Sequence, residues 1–141
     1  MREFHVFVQA DCEAVRPAGA LAIEGESFEA WSLADGPPLA PLQVDFDTAY
    51  EGLQRLPRLY AEPDGSFVWA GRQDSATWQL FGQLADQGTR LQSVELRGTI
   101  PRDQFEELLN VLRWPNSPLM FQLARQGVFL NWEGFARLVW R

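Results

Sequence analysis

The residues best suited to nucleophilic chemistry are one cysteine and one histidine, Cys12 and His5. A thiol is activated when an adjacent imidazole accepts its proton, so the two side chains would have to meet in space. They lie at opposite ends of one strand-like stretch and its exit, and contact would require the chain to fold back sharply. We therefore expect an ordinary thiol beside an ordinary histidine, and the sequence predicts no catalytic residue.

Metal and cofactor motifs are also missing from the sequence. Zinc sites are usually built from several Cys or His ligands, and neither residue occurs twice. Asp45 and Asp47 could offer two carboxylates to a divalent cation, but the further oxygen ligands and the glycine of a calcium loop are absent. Asp47 is more simply explained by a favourable interaction with a helix dipole. No glycine-rich phosphate loop occurs, so we predict neither a metal nor a cofactor.

Four charged residues on predicted strands form a candidate polar pocket: Glu62, Arg72, Glu95 and Arg97. Carboxylates and guanidinium groups that converge from separate elements are typical of sites for small polar ligands. The alternative functional hypothesis is therefore a small-molecule-binding protein or a small enzyme.

Aromatic residues are the most unusual feature of the chain, with six Trp, ten Phe and two Tyr. Their periodicity places most of them on inward faces, namely Phe4, Phe67, Trp69, Phe105, Phe121, Phe129 and Phe135. Four others lie at element ends or in the loop-rich first third and form a candidate interaction patch: Phe28, Trp31, Trp114 and Trp140. Because aromatic residues are enriched at binding hot spots, the leading hypothesis is a non-catalytic module that binds a protein partner or forms a homo-oligomer.

Charge and cysteine usage limit the class of partner. The chain has 19 acidic residues against 12 basic ones, all of them arginine, for a net charge of -7. Binding to nucleic acid or to an anionic membrane surface needs a cationic excess, so neither partner is expected. A lone cysteine favours a reducing compartment, and we expect a cytoplasmic protein. Arginine without lysine is typical of GC-rich bacterial genomes.

The 141 residues are enough for one domain. Within it, residues 1–33 form an N-terminal strand group, with strands expected at 4–8, 20–24 and 28–33. A proline- and glycine-rich loop follows over 34–46, and helix–hairpin units occupy 47–141.

The first helix is predicted over 47–56, because Thr48 and Glu51 fit a capping box and Pro57 stops the helix. A hairpin is predicted over 58–71 around the turn Pro63-Asp64-Gly65. Residues 75–98 fit either a helix that ends near Gly88 or two strands. We favour strands, since Gly82 would cost about 1 kcal/mol inside a helix.

The C-terminal part predicts helices over 102–113 and 132–140, the second capped by Asn131. Strands are expected over 119–123 and 128–130 between them. The order of helix, proline and hairpin echoes the first unit, which suggests an internal duplication. The predicted fold class is α+β: an antiparallel sheet of hairpins with about three helices packed on one face.

Overall fold

The computed structural model describes residues 1–12, 15–33 and 40–140. The predicted loop at 34–46 therefore lies partly outside the described residues. The described ranges contain nine strands and three helices: β1 (Phe4–Ala10), β2 (Val15–Ile23), β3 (Glu26–Leu33), α1 (Phe46–Gln54), β4 (Leu59–Ala61), β5 (Ser66–Gln73), β6 (Ala76–Gln87), β7 (Arg90–Gly98), α2 (Arg102–Val111), β8 (Leu119–Leu123), β9 (Phe129–Leu130) and α3 (Trp132–Trp140).

All nine strands form one antiparallel sheet in the order β2-β3-β9-β8-β1-β7-β6-β5-β4. The N-terminal strand β1 lies near the centre and pairs with β7 on one side and with β8 on the other. The prediction of an α+β fold with an antiparallel sheet is confirmed. Most pairs of neighbouring strands are hairpins. Strand β1 lies between β7 and β8 and so joins the strands β4 to β7 to the strands β2, β3, β8 and β9.

One face of the sheet carries the helices. Strand residues alternate between faces, and the inward residues of β1, Val6 and Val8, are fully buried. Phe4 packs edge-on against Phe105 of α2 and Phe135 of α3, with ring centroids 5.7 and 5.4 Å apart. All seven aromatic residues predicted to face inward are buried, but Phe129, in register with Gln122, lies on the face of the sheet opposite the helices. Most of the aromatic surplus is thus explained by this core.

The start of α1 differs from the prediction. Asp45, not Thr48, is the N-cap, and its side chain accepts a hydrogen bond of 2.8 Å from the Thr48 backbone N–H. Hydrogen bonding with the side chain and then with the backbone N–H of Thr48 holds the pKa of Asp45 below its ordinary value of 3.8. The predicted Thr48–Glu51 capping box is wrong because an earlier acidic side chain satisfies the orphan amide first. The helix ends at Gln54, two residues before the predicted end.

The segment over 75–98 forms the two strands β6 and β7, as favoured from the sequence. The predicted hairpin at 58–71 is also confirmed, and Asp64 stabilises its turn by accepting hydrogen bonds from the Ser66 N–H and hydroxyl. The Asn131 side chain caps α3 through the Gly134 N–H, as predicted. Both α1–β4–β5 and α2–β8–β9 are a helix followed by an antiparallel strand pair. Their duplication stays a prediction.

Candidate functional site

The face of the sheet opposite the helices is partly uncovered, and we call it the open face. An in-register row of side chains crosses five strands there: Tyr60, Val68, Phe81, Arg97 and His5. Tyr60 is 62% exposed and Phe81 is 46% exposed, although both are large aromatic residues. We call this set the aromatic row, since it contains two exposed rings, Tyr60 at one end and Phe81 at the centre.

A second row lies next to the first and contains Ser66, Gln83, Glu95, Phe7 and Gln122. Phe7 is half-buried. Towards β8 and β9 the same face becomes buried, since Gln9, Met120 and Phe129 have at most 6% of their surface exposed. The uncovered part is therefore the region over β4, β5, β6, β7 and the first half of β1.

Charged groups occupy the middle of the open face. Nε2 of His5 lies 2.6 Å from Oε2 of Glu95, across the β1–β7 pair. Arg97 is two residues from Glu95 on β7 and points to the same face. Arg97 is exposed and makes no ion pair with the residues that the structure describes. Glu95 and Arg97 thus form a pair of opposite charges at the middle of the open face.

A groove of about 920 Å³ borders the open face at the start of β1. Arg97 and His5 lie along one side, and the remaining lining includes Arg2, Glu24, Arg125, Ile23, Leu123 and Leu138. Arg2 pairs with Glu24, whereas Arg125 makes no ion pair within the described ranges. Two guanidinium groups without an ion pair therefore line the groove, together with apolar side chains and the exposed carboxylate of Glu3.

The four residues of the predicted polar pocket share the open face but do not meet in one cavity of the described chain. Glu95 and Arg97 are adjacent there, and Arg97 lines the groove. Glu62 is at the β4 edge, where its carboxylate accepts a hydrogen bond from Tyr60 and raises the pKa of that phenol above 10.0. Arg72 is exposed near the end of β5, four residues beyond Val68.

The predicted aromatic patch is divided among three places. Phe28 is only 1% exposed, so its assignment to an exposed patch is wrong. The guanidinium of Arg137 lies 4.6 Å from the centre of its ring and covers it. Trp114 and Trp140 are half-buried and both contact Trp132, at centroid distances of 5.1 and 5.8 Å. Trp31 lies far along the sheet, next to Phe129 in register.

Cys12 and Trp31 line a smaller pocket of about 270 Å³ with Met120 and Phe129. His5 is at the other end of β1, about 20 Å away along the strand at 3.3 Å per residue, so the Cys–His pair does not form. In the described part of the chain, no three His, Cys, Asp or Glu side chains come together as metal ligands. Asp45, considered for a cation, instead caps α1.

The residues that sequence reasoning missed are Phe81, Tyr60 and Phe7. The alternation in β6 contained the signal, because Trp78, Leu80 and Leu84 face one way and leave Phe81 on the other. An aromatic residue among the side chains that face away from the core indicates a second contact surface. The row itself could not be seen, since it depends on the register of five strands.

Comparison of the chain with protein-family models, with curated proteins and with solved structures finds no match. No helix within the described ranges is long and apolar enough to cross a membrane. The structure therefore defines the class of this protein by its fold: an α+β protein whose single antiparallel sheet is partly uncovered on one face.

Proposed function

We propose that this chain is a non-catalytic protein-interaction domain of the bacterial cytoplasm, and that the open face of its sheet is the binding surface. The observation that carries the proposal is the aromatic row, in which Tyr60 and Phe81 expose large rings beside the unneutralised Arg97. Tyrosine and arginine are among the residues most enriched at hot spots of protein interfaces, and aromatic residues are enriched there in general.

The uncovered position of these rings supports the same proposal. An antiparallel sheet tolerates one solvated face, but the side chains there are usually polar. Here Phe81 lies beside Val68 across the β5–β6 pair, and Phe7 lies on β1, beyond the charged residues of β7. A partner that covers them removes apolar surface from water, which contributes roughly 25 cal/mol per Å² before the costs of association.

The two edges of the sheet are poor alternatives for binding. The edge strand β4 has three residues and is flanked by Pro57 and Pro63. The other edge strand, β2, contains Pro17 at an irregularity in its register. Proline cannot donate a ladder hydrogen bond, and short, proline-containing edges resist the addition of a strand. Binding through the face is therefore favoured over binding through an edge.

A photo-crosslinking amino acid at position 81, in the cells that make the protein, tests the proposal. Position 54 is the control, because Gln54 is exposed on α1 away from the open face. We expect a protein adduct of discrete mass from position 81 and none from position 54. The adduct is identified by mass spectrometry, and its affinity for the purified chain is then measured.

Substitutions complete this test. Phe81→Ser and Tyr60→Ser should each raise the Kd for that partner at least about tenfold, as hot-spot truncations do. Gln54→Ser should leave the Kd unchanged. Equal crosslinking from positions 81 and 54, or none from position 81, would overturn the proposal, as would a Kd that is insensitive to both aromatic substitutions.

A second candidate function is the binding of a small organic anion in the groove, and one observation favours it. Arg97 and Arg125 line the groove without an ion pair in the described chain, and guanidinium groups bind carboxylates and phosphates in a bidentate manner. A volume of about 920 Å³ is within the range of ligand sites. The apolar residues Leu123, Ile23 and Leu138 would contact the body of such a ligand.

Calorimetric titration with a panel of carboxylates and phosphate esters tests this candidate. Binding should be lost in Arg125→Gln and Arg97→Gln and retained in Arg16→Gln, since Arg16 is exposed on β2 outside the lining of the groove. Absence of binding to any anion of the panel, or equal binding by all three variants, would reject the candidate.

A further inference from the structure

We infer that the partner of the open face is a second copy of this chain, bound face to face about a two-fold axis that passes between Glu95 and Arg97. This inference rests on the proposed function, because it names the occupant of the same surface. In the resulting dimer, Arg97 of each copy pairs with Glu95 of the other, and the aromatic rows of the two copies become covered.

The charges of the open face are self-complementary. Glu95 and Arg97 stand on the same face of β7 and are separated by two residues, about 7 Å along the strand. Among the ten residues of the two rows they are the only formally charged side chains, and Glu62 continues the second row beyond Ser66 at the β4 edge. A two-fold axis that runs along the rows, midway between the two residues, exchanges their positions. Each positive charge is then opposite a negative one.

Arg97 has the freedom that this pairing requires. It is exposed and has no ion-pair partner among the residues that the structure describes. Glu95 is held by His5 through one carboxylate oxygen, Oε2. Its other oxygen, Oε1, can accept a hydrogen bond from a guanidinium group. The packing distance of about 10 Å between two sheets is within reach of an arginine and a glutamate that extend towards each other.

The distribution of charge also selects this face for contact between copies. Two chains that each carry a net charge of -7 repel one another. On the open face, Glu3, Glu62 and Glu95 are accompanied by Arg72 and Arg97, so acidic and basic side chains are mixed there. The repulsion between copies is therefore partly offset when these faces meet. Both edges contain or adjoin proline, which disfavours a dimer formed by strand addition.

Reciprocal charge reversal tests the inference. Arg97→Glu places two acids opposite each other, and Glu95→Arg places two arginines opposite each other. We expect sedimentation of the wild-type chain to show a dimer, and each variant alone to dimerise at least about tenfold more weakly.

An equimolar mixture of the two variants should form a mixed dimer. The glutamate introduced at position 97 of one copy then faces the arginine introduced at position 95 of the other, and the unchanged Glu95 and Arg97 face each other as in the wild type. The control pair, Arg16→Glu and Glu29→Arg, reverses exposed charges of the β2–β3 hairpin and should leave the wild-type dimer unchanged.

The results separate this inference from the proposed function. Circular dichroism and thermal unfolding establish that each variant is folded, and the double variant Arg97→Glu/Glu95→Arg should dimerise like the wild type. A mixture that stays monomeric while the wild type dimerises would overturn the paired geometry. A wild-type chain that is monomeric at millimolar concentration, yet forms a crosslink to a different protein from position 81, would overturn self-association and leave the proposed function standing. A monomer that forms no such crosslink would reject both.

Discussion

The ring of Phe67 occupies the space beside Gly82, so that a Cβ atom on Gly82 would lie 2.0 Å from Cζ of Phe67. The two residues face each other on β5 and β6, on the helix-bearing side of the sheet. Phe67 is 4% exposed, which prevents the ring from moving into solvent. Gly82 was used above as evidence against a helix. The structure shows a further role for this glycine, because a side chain at position 82 would overpack the core.

Gly82→Ala should destabilise the fold by about 1–3 kcal/mol, the usual cost of overpacking a core. The measurement is the free energy of unfolding from urea denaturation. In a Phe67→Leu background the same substitution should cost less, since leucine has no atom at the position of Cζ. Equal costs in both backgrounds would show that the ring is not the obstacle.

Asp45→Ala should lower the melting temperature, whereas Glu51→Ala should leave it nearly unchanged. Asp45 caps α1 by accepting the Thr48 N–H, and Glu51 has no role in the observed cap. Differential scanning fluorimetry of both variants at pH 7 gives the comparison. A larger loss of melting temperature in Glu51→Ala than in Asp45→Ala would contradict the Asp45 cap and support the Thr48–Glu51 capping box.

The contribution of Asp45 should depend on pH in one direction. Its pKa in the folded state is lowered from 3.8, first by its hydrogen bonds with Thr48 and to a smaller extent by the charge of Arg113. A lowered pKa means that the folded state favours the carboxylate. The stabilisation is therefore fully present above the ordinary pKa and is lost as the pH falls through the folded-state value. Melting temperatures of wild type and Asp45→Ala should converge below pH 3.8 and differ by a constant amount between pH 5 and 7.

Tyr60 should ionise at higher pH than an ordinary tyrosine, and Glu62→Gln should lower that pKa towards 10.0. The carboxylate of Glu62 accepts a hydrogen bond from the phenol and repels the phenolate, and both effects favour the protonated form. Absorbance titration of the phenolate in a Tyr50→Phe background isolates Tyr60, because the chain has two tyrosines. An unchanged titration curve in Glu62→Gln would contradict this contact.

Phe28→Ala should cost about 3–5 kcal/mol of stability, as expected for the loss of a buried aromatic ring. The ring lies under Arg137, whose guanidinium also donates a hydrogen bond of 2.9 Å to the Ser27 carbonyl. Glu29→Ala is the control on the same strand, since Glu29 is exposed and its loss should change stability by less than about 0.5 kcal/mol. If Phe28→Ala changes the free energy of unfolding as little as the control does, the burial of Phe28 would be contradicted.

Local patterns of the sequence were sufficient for most elements. Turn chemistry at Pro63-Asp64-Gly65 and the side chain of Asn131 act within three or four residues, and both are observed. The start of α1 was missed because Asp45 and Thr48 are both good caps and only three residues apart. The path of the chain into the helix decides which of them caps it, because the backbone of Asp45 also forms an isolated antiparallel β-bridge with Arg90 of β7.

Composition and short-range periodicity are properties of the chain alone, and they were enough to predict an acidic, lysine-free α+β fold with few groups for catalysis. The tertiary structure decided which side chains meet. It placed β1 between β7 and β8, brought His5 to Glu95, aligned Tyr60, Phe81 and Arg97 in one row, and covered Phe28 with Arg137. The hydrogen bond that holds Arg137 there joins it to Ser27, 110 positions away in the chain. Strand order and register depend on how the whole core packs, and no local pattern records them.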